Sequence, residues 1–257
     1  MKDMILIAGP CVIESETMIM DLAEKLKKIT EDLPVEYYFK ASFDKANRTS
    51  IDSYRGPGID EGIRILNKAK SEFDLKIATD IHEPWQADVV KDICDIIQIP
   101  AFLCRQTDLL IAAAKTGKKI NVKKAQFMAP WDMKNVVNKL ESSGNSNIML
   151  CERGTSFGYN TLVVDMTAIV EMKKLGHPVI FDATHSVQKP GGNGTSTSGN
   201  REYVPYLSKA AMAAGADGLF IETHMNPDIA LSDGPNMIKI DNVRELLEKC
   251  LAIRGVI

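Results

Sequence analysis

The stretch Phe39–Ser50, FKASFDKANRTS, carries three cations (Lys40, Lys45 and Arg48) among Asn47, Thr49 and Ser50, with no Gly or Pro. Lysine supplies a compact charge and arginine a planar donor fork, so the mixture suits phosphate or carboxylate. The stretch follows an apolar, β-prone run from Val35 to Phe39. Loops leaving strand ends are where α/β enzymes keep their binding groups. On composition alone it also reads as a solvated basic turn.

Similar chemistry closes other apolar runs: Cys11, Asp80 with His82, Gln98, Lys123 with Gln126, Arg153, Asp182 with His185, and Glu222 with His224. Each has a plainer reading on its own. Asp182 could cap a turn, His82 and His224 could be hydrogen-bonded structural histidines, and Cys11 could be a small buried apolar side chain. If these ends share one face, Lys40, Lys45, Lys123 and Arg153 bring four positive charges into one mouth. Such a mouth calls for an anion, as a substrate with phosphate and carboxylate or two phosphorylated substrates would provide. Cys11, His185, Glu222 and Asp233 offer a thiolate, an imidazole and two carboxylates. That set suits Zn²⁺ or Fe²⁺, and its carboxylates admit Mn²⁺. No short ligand motif joins the four, so spacing alone does not single out a metal site. Neither a Walker A sequence nor a GxGxxG after the first run is present, which argues against nucleotide chemistry.

The elements that must position these groups alternate. Short β-type runs (Met4–Ala8, Val35–Phe39, Leu75–Thr79, Asp95–Ile99, Lys119–Val122, Asn147–Cys151, Pro178–Phe181, Asp217–Ile221) are each followed by a stretch with helical periodicity. In the first such stretch Ile19, Leu22, Ala23, Leu26 and Ile29 recur at helical spacing. Eight β–α alternations in 257 residues predict a single α/β domain over 1–257, a (β/α)₈ TIM barrel. Its active site would lie where the strands end. Pro190–Asn200, PGGNGTSTSGN, reads as a surface linker or a lid after the seventh strand.

With 45% hydrophobic and 25% charged residues and a formal net charge of −3, the chain has ordinary globular composition. The weak acidity argues against a general nucleic-acid binder. Five scattered cysteines without a CxxC pair fit a reducing compartment. The N-terminal apolar run is too short for a signal peptide and none is long enough to cross a bilayer, so a cytoplasmic protein is expected.

The segments AGPCVIES (Ala8–Ser15), FKASFDKANRTS, DIHEPWQ (Asp80–Gln86), PAFLCRQTDLL (Pro100–Leu110), INVKKAQF (Ile120–Phe127), ERGTSFGYN (Glu152–Asn160), FDATHSVQ (Phe181–Gln188) and LSDGPN (Leu231–Asn236) span nearly the whole chain. In type and order they resemble the 3-deoxy-D-manno-octulosonate-8-phosphate synthase family, enzymes of lipopolysaccharide biosynthesis. The family making the seven-carbon analogue from erythrose 4-phosphate is the rival; it typically reads KPRTS where this chain has KANRTS (Lys45–Ser50). The resemblance implies condensation of phosphoenolpyruvate with arabinose 5-phosphate and water, with cleavage of the enol C–O bond. It implies that Lys123 and Arg153 hold the phosphate of phosphoenolpyruvate, with Lys40 and Lys45 beside its carboxylate and the reacting atoms. Asn47 would contact the sugar, and Arg48 with Thr49 its phosphate, reaching from a neighbouring subunit of a homotetramer. Asp80, Gln98, Ala101 and Gln126 complete the implied substrate contacts. Cys11 replaces the Asn of the family's metal-independent class. It therefore implies a divalent ion (Fe²⁺, Zn²⁺ or Mn²⁺) on Cys11, His185, Glu222 and Asp233, with Cys11 and His185 joining Lys40 and Lys45 in catalysis.

Overall fold

A computed structural model describes residues 3–192 and 198–257. The eight apolar runs form strands β1 (Met4–Gly9), β2 (Val35–Lys40), β3 (Ile77–Asp80), β4 (Ile96–Ile99), β5 (Lys119–Lys123), β6 (Ile148–Glu152), β7 (Val179–Asp182) and β8 (Gly218–His224). Each pairs in parallel with its neighbour in chain order, and β8 pairs back onto β1 with Ile5 opposite Gly218. The sheet therefore closes, and the expected (β/α)₈ barrel is the observed fold. The helices between are α1 (Glu16–Thr30), α2 (Ile59–Phe73), α3 (Gln86–Val90), α4 (Thr107–Lys115), α5 (Met133–Ser142), α6 (Thr167–Lys173), α7 (Val204–Ala213) and α8 (Val243–Arg254). Ser15 caps α1 by accepting the Met18 N–H at 3.2 Å.

Differences from the sequence reading are local. The third helix, Gln86–Val90, is short because Lys91 to Asp95 already turn into β4. The eighth strand runs past Ile221 to His224, so Glu222 is a strand residue rather than a loop residue. Parallel pairing with a two-residue strand at Ile238–Lys239 prolongs it. Of the Pro190–Asn200 segment, residues 193–197 lie outside the described residues. Its flanks pair as Gln188–Lys189 with Ser198–Gly199.

Strand alternation explains why the polar residues gather. Successive side chains point to opposite faces, so residues two apart share the barrel interior. Tyr38, Ala78, Ile96, Cys151, Ile180 and Phe220 belong to a buried cluster inside the barrel. Two residues on stand Lys40, Asp80, Gln98, Arg153, Asp182 and Glu222. The apolar layer fills the floor and the polar layer sits above it, at the carboxyl ends. The intervening residues, such as Phe39, Ile97, Leu150 and Phe181, face the helices and form the larger core. Burial of each such side chain contributes about 2 kcal/mol. Gly9 is required where β1 meets β2, since a Cβ there would lie 2.0 Å from the Lys40 carbonyl oxygen.

Candidate active site

A cavity of about 360 Å³ opens at the carboxyl ends of the strands. Lys40, Lys45, Asn47, Arg48, Thr49, Asp80, Gln98, Ala101, Lys123, Gln126, Arg153, His185, Glu222 and Asp233 all line it. Among the strand-end residues singled out in the sequence, Cys11, Asp182 and His224 do not line it; all three are buried. The barrel thus brings together side chains that are more than 220 residues apart in sequence, as in the Cys11–Asp233 contact.

The expected excess of positive charge is not what the barrel builds. Lys40 Nζ is 3.3 Å from Glu222 Oε1 and donates to Ser42 Oγ at 2.8 Å. Ser42 passes a hydrogen bond on to Asp80. Lys45 Nζ stands 3.8 Å from Glu222 Oε1, and Lys123 Nζ donates to Asp182 Oδ2 at 2.6 Å. Buried ammonium groups need such partners, and the carboxylates at the ends of β3, β7 and β8 supply them. Among the described residues, the buried donors left without a hydrogen-bond partner include Arg153 Nη1 and Arg48 Nε. Both are cavity-lining arginine N–H groups left unfilled, as donors for an anion would be. Lys123 also lies over the Phe220 ring, 3.5 Å from its centre, so the floor holds the ammonium from below.

Electrostatics keep the carboxylates charged. Burial alone would raise the Asp182 carboxyl, but His185 and Lys123 beside it hold it far below the ordinary carboxylate range. Burial likewise opposes ionisation of Glu222, and His185, Lys45 and Lys40 together outweigh it. Burial and the neighbouring charge of Lys45 pull the Lys40 ammonium down, against Glu222 and Asp80.

Three of the four implied ligands, Cys11, Glu222 and Asp233, form a cluster of the kind that can hold a divalent ion, and His185 stands beside two of them. Cys11 Sγ and one oxygen each of Glu222 and Asp233 lie within 4.8 Å of one another. Cys11 Sγ is 3.4 Å from Asp233 Oδ2, and His185 Nε2 is 3.6 Å from Glu222 Oε2 and 3.7 Å from Asp233 Oδ2. Donor separations of roughly 3.3–3.6 Å are those of a tetrahedron with zinc-type bond lengths. Glu222 Oε2 is buried without a hydrogen-bond partner, as an oxygen reserved for a cation would be. Asp182 accepts from His185 at Nδ1, 2.8 Å away, which turns Nε2 toward the other ligands. Asp233 itself has a left-handed backbone (φ 51°), a conformation Asp tolerates better than most residues.

Within the single chain Arg48 and Thr49 line the cavity, with Arg48 Nη1 donating to Ser232 Oγ at 2.6 Å. The loop between β2 and α2 folds back over its own mouth, where Tyr54 donates to the Ile13 carbonyl at 2.9 Å. Four contributors escaped the sequence reading as site residues. Asp182 was visible as a strand-end acid but not as the partner of Lys123 and His185. Ser42, Ser232 and Gln188, which bridge Lys40 to Asp80, Cys11 to Arg48 and Arg153 to the seventh loop, carry no sequence signal beyond their place beside marked residues.

A family model described as the DAHP synthetase I family matches residues 2–253. The chain is 58% identical over 256 residues to a 2-dehydro-3-deoxyphosphooctonate aldolase of Fusobacterium nucleatum, covering 100% of this chain and 92% of that one. It is 58% identical to the protein of that name from a Cyanothece strain (97% and 91% covered) and 57% identical to one from a Geobacter strain (100% and 94% covered). With a family match over almost its entire length and relatives this similar from end to end, the chain belongs to the DAHP synthetase I family and, within it, to the 2-dehydro-3-deoxyphosphooctonate aldolases.

Proposed function

We propose that the chain condenses phosphoenolpyruvate with D-arabinose 5-phosphate and water to give 3-deoxy-D-manno-octulosonate 8-phosphate and inorganic phosphate. The observation that carries this is one cavity with two separate sets of anion donors: Lys123 and Arg153 toward the floor, and Asn47, Arg48 and Thr49 on the loop above. The names of its end-to-end relatives, 2-dehydro-3-deoxyphosphooctonate aldolase, support the eight-carbon product over the seven-carbon one.

Carbon 3 of the enol phosphate gives its electron pair to the aldehyde carbon of the sugar, and the aldehyde oxygen takes up negative charge and then a proton. Water bonds to carbon 2 and loses a proton. The hydroxyl on carbon 2 then gives up its proton and forms the keto C=O bond as the carbon–oxygen bond to the phosphate breaks, its electron pair leaving on phosphate. Lys123 and Arg153 grip the leaving phosphate, with Arg153 Nη1 the open donor. Lys40 and Lys45 face the carboxylate and the developing alkoxide, fixed in advance by Glu222, Ser42 and Asp80. Asn47 meets the sugar, Arg48 and Thr49 its phosphate. Asp80, Gln98, Ala101 and Gln126 shape the wall between. Cys11, His185, Glu222 and Asp233 would hold a divalent ion (Fe²⁺, Zn²⁺ or Mn²⁺), which would supply Lewis acidity toward an oxygen of the substrate or of water. A homotetramer working in the cytoplasm belongs to the same reading. Among the described residues, no helix is long and apolar enough to cross a membrane.

The test is phosphate release from phosphoenolpyruvate with arabinose 5-phosphate or erythrose 4-phosphate as acceptor. Turnover is expected with the five-carbon sugar; turnover confined to the four-carbon sugar would reverse the assignment. Full activity after exhaustive chelation would remove the metal from the proposal, and light scattering checks the tetramer.

A further inference from the structure

Beside the two cations of the phosphate seat lies a second charged pair that never touches the cavity. Lys124 follows Lys123, and Glu152 precedes Arg153. Strand alternation turns the cavity pair inward and this pair toward the helices, where Val122 and Leu150 are apolar. The β5–β6 register sets Lys123 opposite Cys151, so Lys124 falls next to Glu152. The Lys124 and Glu152 side chains are 0% and 1% exposed, with Nζ 3.6 Å from Oε1.

A buried ion pair is poor evidence for stability, since apolar side chains of similar volume do as well or better. The contacts suggest another use. Lys124 Nζ donates to the carbonyls of Ala125 and Met128, both at 3.3 Å, in the loop after β5 that carries Gln126. It also donates to the Gly154 carbonyl at 3.3 Å and to Thr155 Oγ1 at 3.2 Å, in the loop after β6. Glu152 Oε1 accepts the Gly154 N–H at 2.6 Å, and a backbone bond from Ser156 to the Gln126 carbonyl closes the junction at 2.9 Å. One ammonium thus ties together the loop that follows Lys123 at the end of β5 and the loop that follows Arg153 after β6.

We infer that Lys124 and Glu152 are positioning residues for the phosphate seat: their buried pair fixes the spacing between Lys123 and Arg153. The inference rests on the phosphoenolpyruvate reading of that seat. It concerns the phosphate end alone, because the loop carrying Asn47, Arg48 and Thr49 hangs on β2, across the barrel.

The test uses Lys124→Met, Lys124→Arg and Glu152→Gln in the full chain beside the unaltered protein. Phosphoenolpyruvate and inorganic phosphate are titrated by calorimetry, both substrates are followed kinetically, and melting is recorded. Lys124→Met is expected to weaken phosphoenolpyruvate and inorganic phosphate by about ten- to a hundredfold, the scale of a 1 Å misplacement. The KM for arabinose 5-phosphate should move less than about twofold. Glu152→Gln should move the same constants in the same direction but less, and Lys124→Arg should restore most of the loss. If both substrates weaken together, or if melting falls while phosphate affinity holds, the pair is structural and the inference is wrong. Should Lys124→Met fail to fold, Glu152→Gln decides by the same comparison. Absence of turnover in the unaltered protein refutes the synthase reading instead, and the calorimetric phosphate titrations still judge the pair.

Discussion

Asp182→Asn is the change that reaches furthest into the site. The side chain is fully buried at the end of β7. Its Oδ2 accepts from Lys123 Nζ at 2.6 Å and lies 2.8 Å from His185 Nδ1, while Oδ1 accepts the His185 backbone N–H at 2.9 Å. Asparagine keeps one acceptor but turns an NH₂ toward two groups that are themselves donors, and removes the charge facing the Lys123 ammonium. Breaking a buried pair from one side costs about 3–5 kcal/mol, and the retained oxygen puts this case near 3. For a chain of this size that lowers the melting temperature by about 6–12 °C. The functional loss has two arms. His185 loses the carboxylate that aims Nε2 at Glu222 and Asp233, and losing such a partner weakens metal binding about 10- to 100-fold. Lys123 loses its fixed position, so phosphoenolpyruvate should weaken as well. Calorimetric melting, Zn²⁺ or Mn²⁺ titration of the chelated protein and phosphoenolpyruvate titration read the three effects. A variant that melts within about 2 °C of the parent and binds metal and phosphoenolpyruvate equally well would refute the bridging role.

Cys11→Asn removes the sulfur from the cluster with Glu222 and Asp233 proposed to hold the metal; activity remaining after chelation should rise relative to the parent, and a variant that stays fully metal-dependent would contradict this. Arg48→Lys keeps the charge but not the planar fork whose Nη1 now rests on Ser232. The KM for arabinose 5-phosphate should rise about tenfold, the worth of a lost charge-assisted hydrogen bond, with that for phosphoenolpyruvate unchanged; steady-state kinetics in both substrates checks it. Glu16 joins α1 to α2 through Lys68, which donates to it at 2.6 Å, and Arg64. Those bonds lower its carboxyl from 4.5 to about 2. A carboxyl depressed on folding stabilises the fold above its unfolded value and loses that contribution as pH falls through the folded one. Glu16→Gln should therefore reduce the urea midpoint at pH 7 more than at pH 2.5, with the difference shrinking in high salt; an equal reduction at both pH values would overturn this.

Most of the barrel could be read from the sequence because its signals are local. A strand buried on both faces is a short apolar run such as Ile96–Ile99, and an amphipathic helix such as α1 repeats its apolar residues in register with the turn. The strand-end polar residues were legible for the same reason, since period two carries the interior face from Ile180 to Asp182 and from Phe220 to Glu222. What could not be read was who pairs with whom. Lys123 meets Asp182, and Lys40 meets Glu222, only because strands distant in the chain share one closed sheet. Treating the cations as a free positive field ignored carboxylates that the same alternation delivers to the same layer. Lys124 and Glu152 were hidden differently: period two turns each away from the functional residue beside it, and nothing local says that the two meet across β5 and β6.

The balance of charge in the cavity changes how it must recognise its substrates. Five cations, Lys40, Lys45, Arg48, Lys123 and Arg153, share the polar layer and its rim with four carboxylates, Asp80, Asp182, Glu222 and Asp233. A long-range positive field is therefore weak, and attraction of a phosphorylated substrate cannot come from net charge alone. It must come from donors whose positions are fixed and whose hydrogen bonds are unfilled, chiefly Arg153 Nη1 and Arg48 Nε. The carboxylates hold the lysines at fixed points while leaving those arginine donors open. This is the condition for stabilising charge that develops during reaction without reorganising the site, because the dipoles and charges already stand where the new charge will form. It also explains why the positions of Lys123 and Arg153 should matter more than their mere presence, and so why buried residues that never touch a substrate can govern how tightly its phosphate is held.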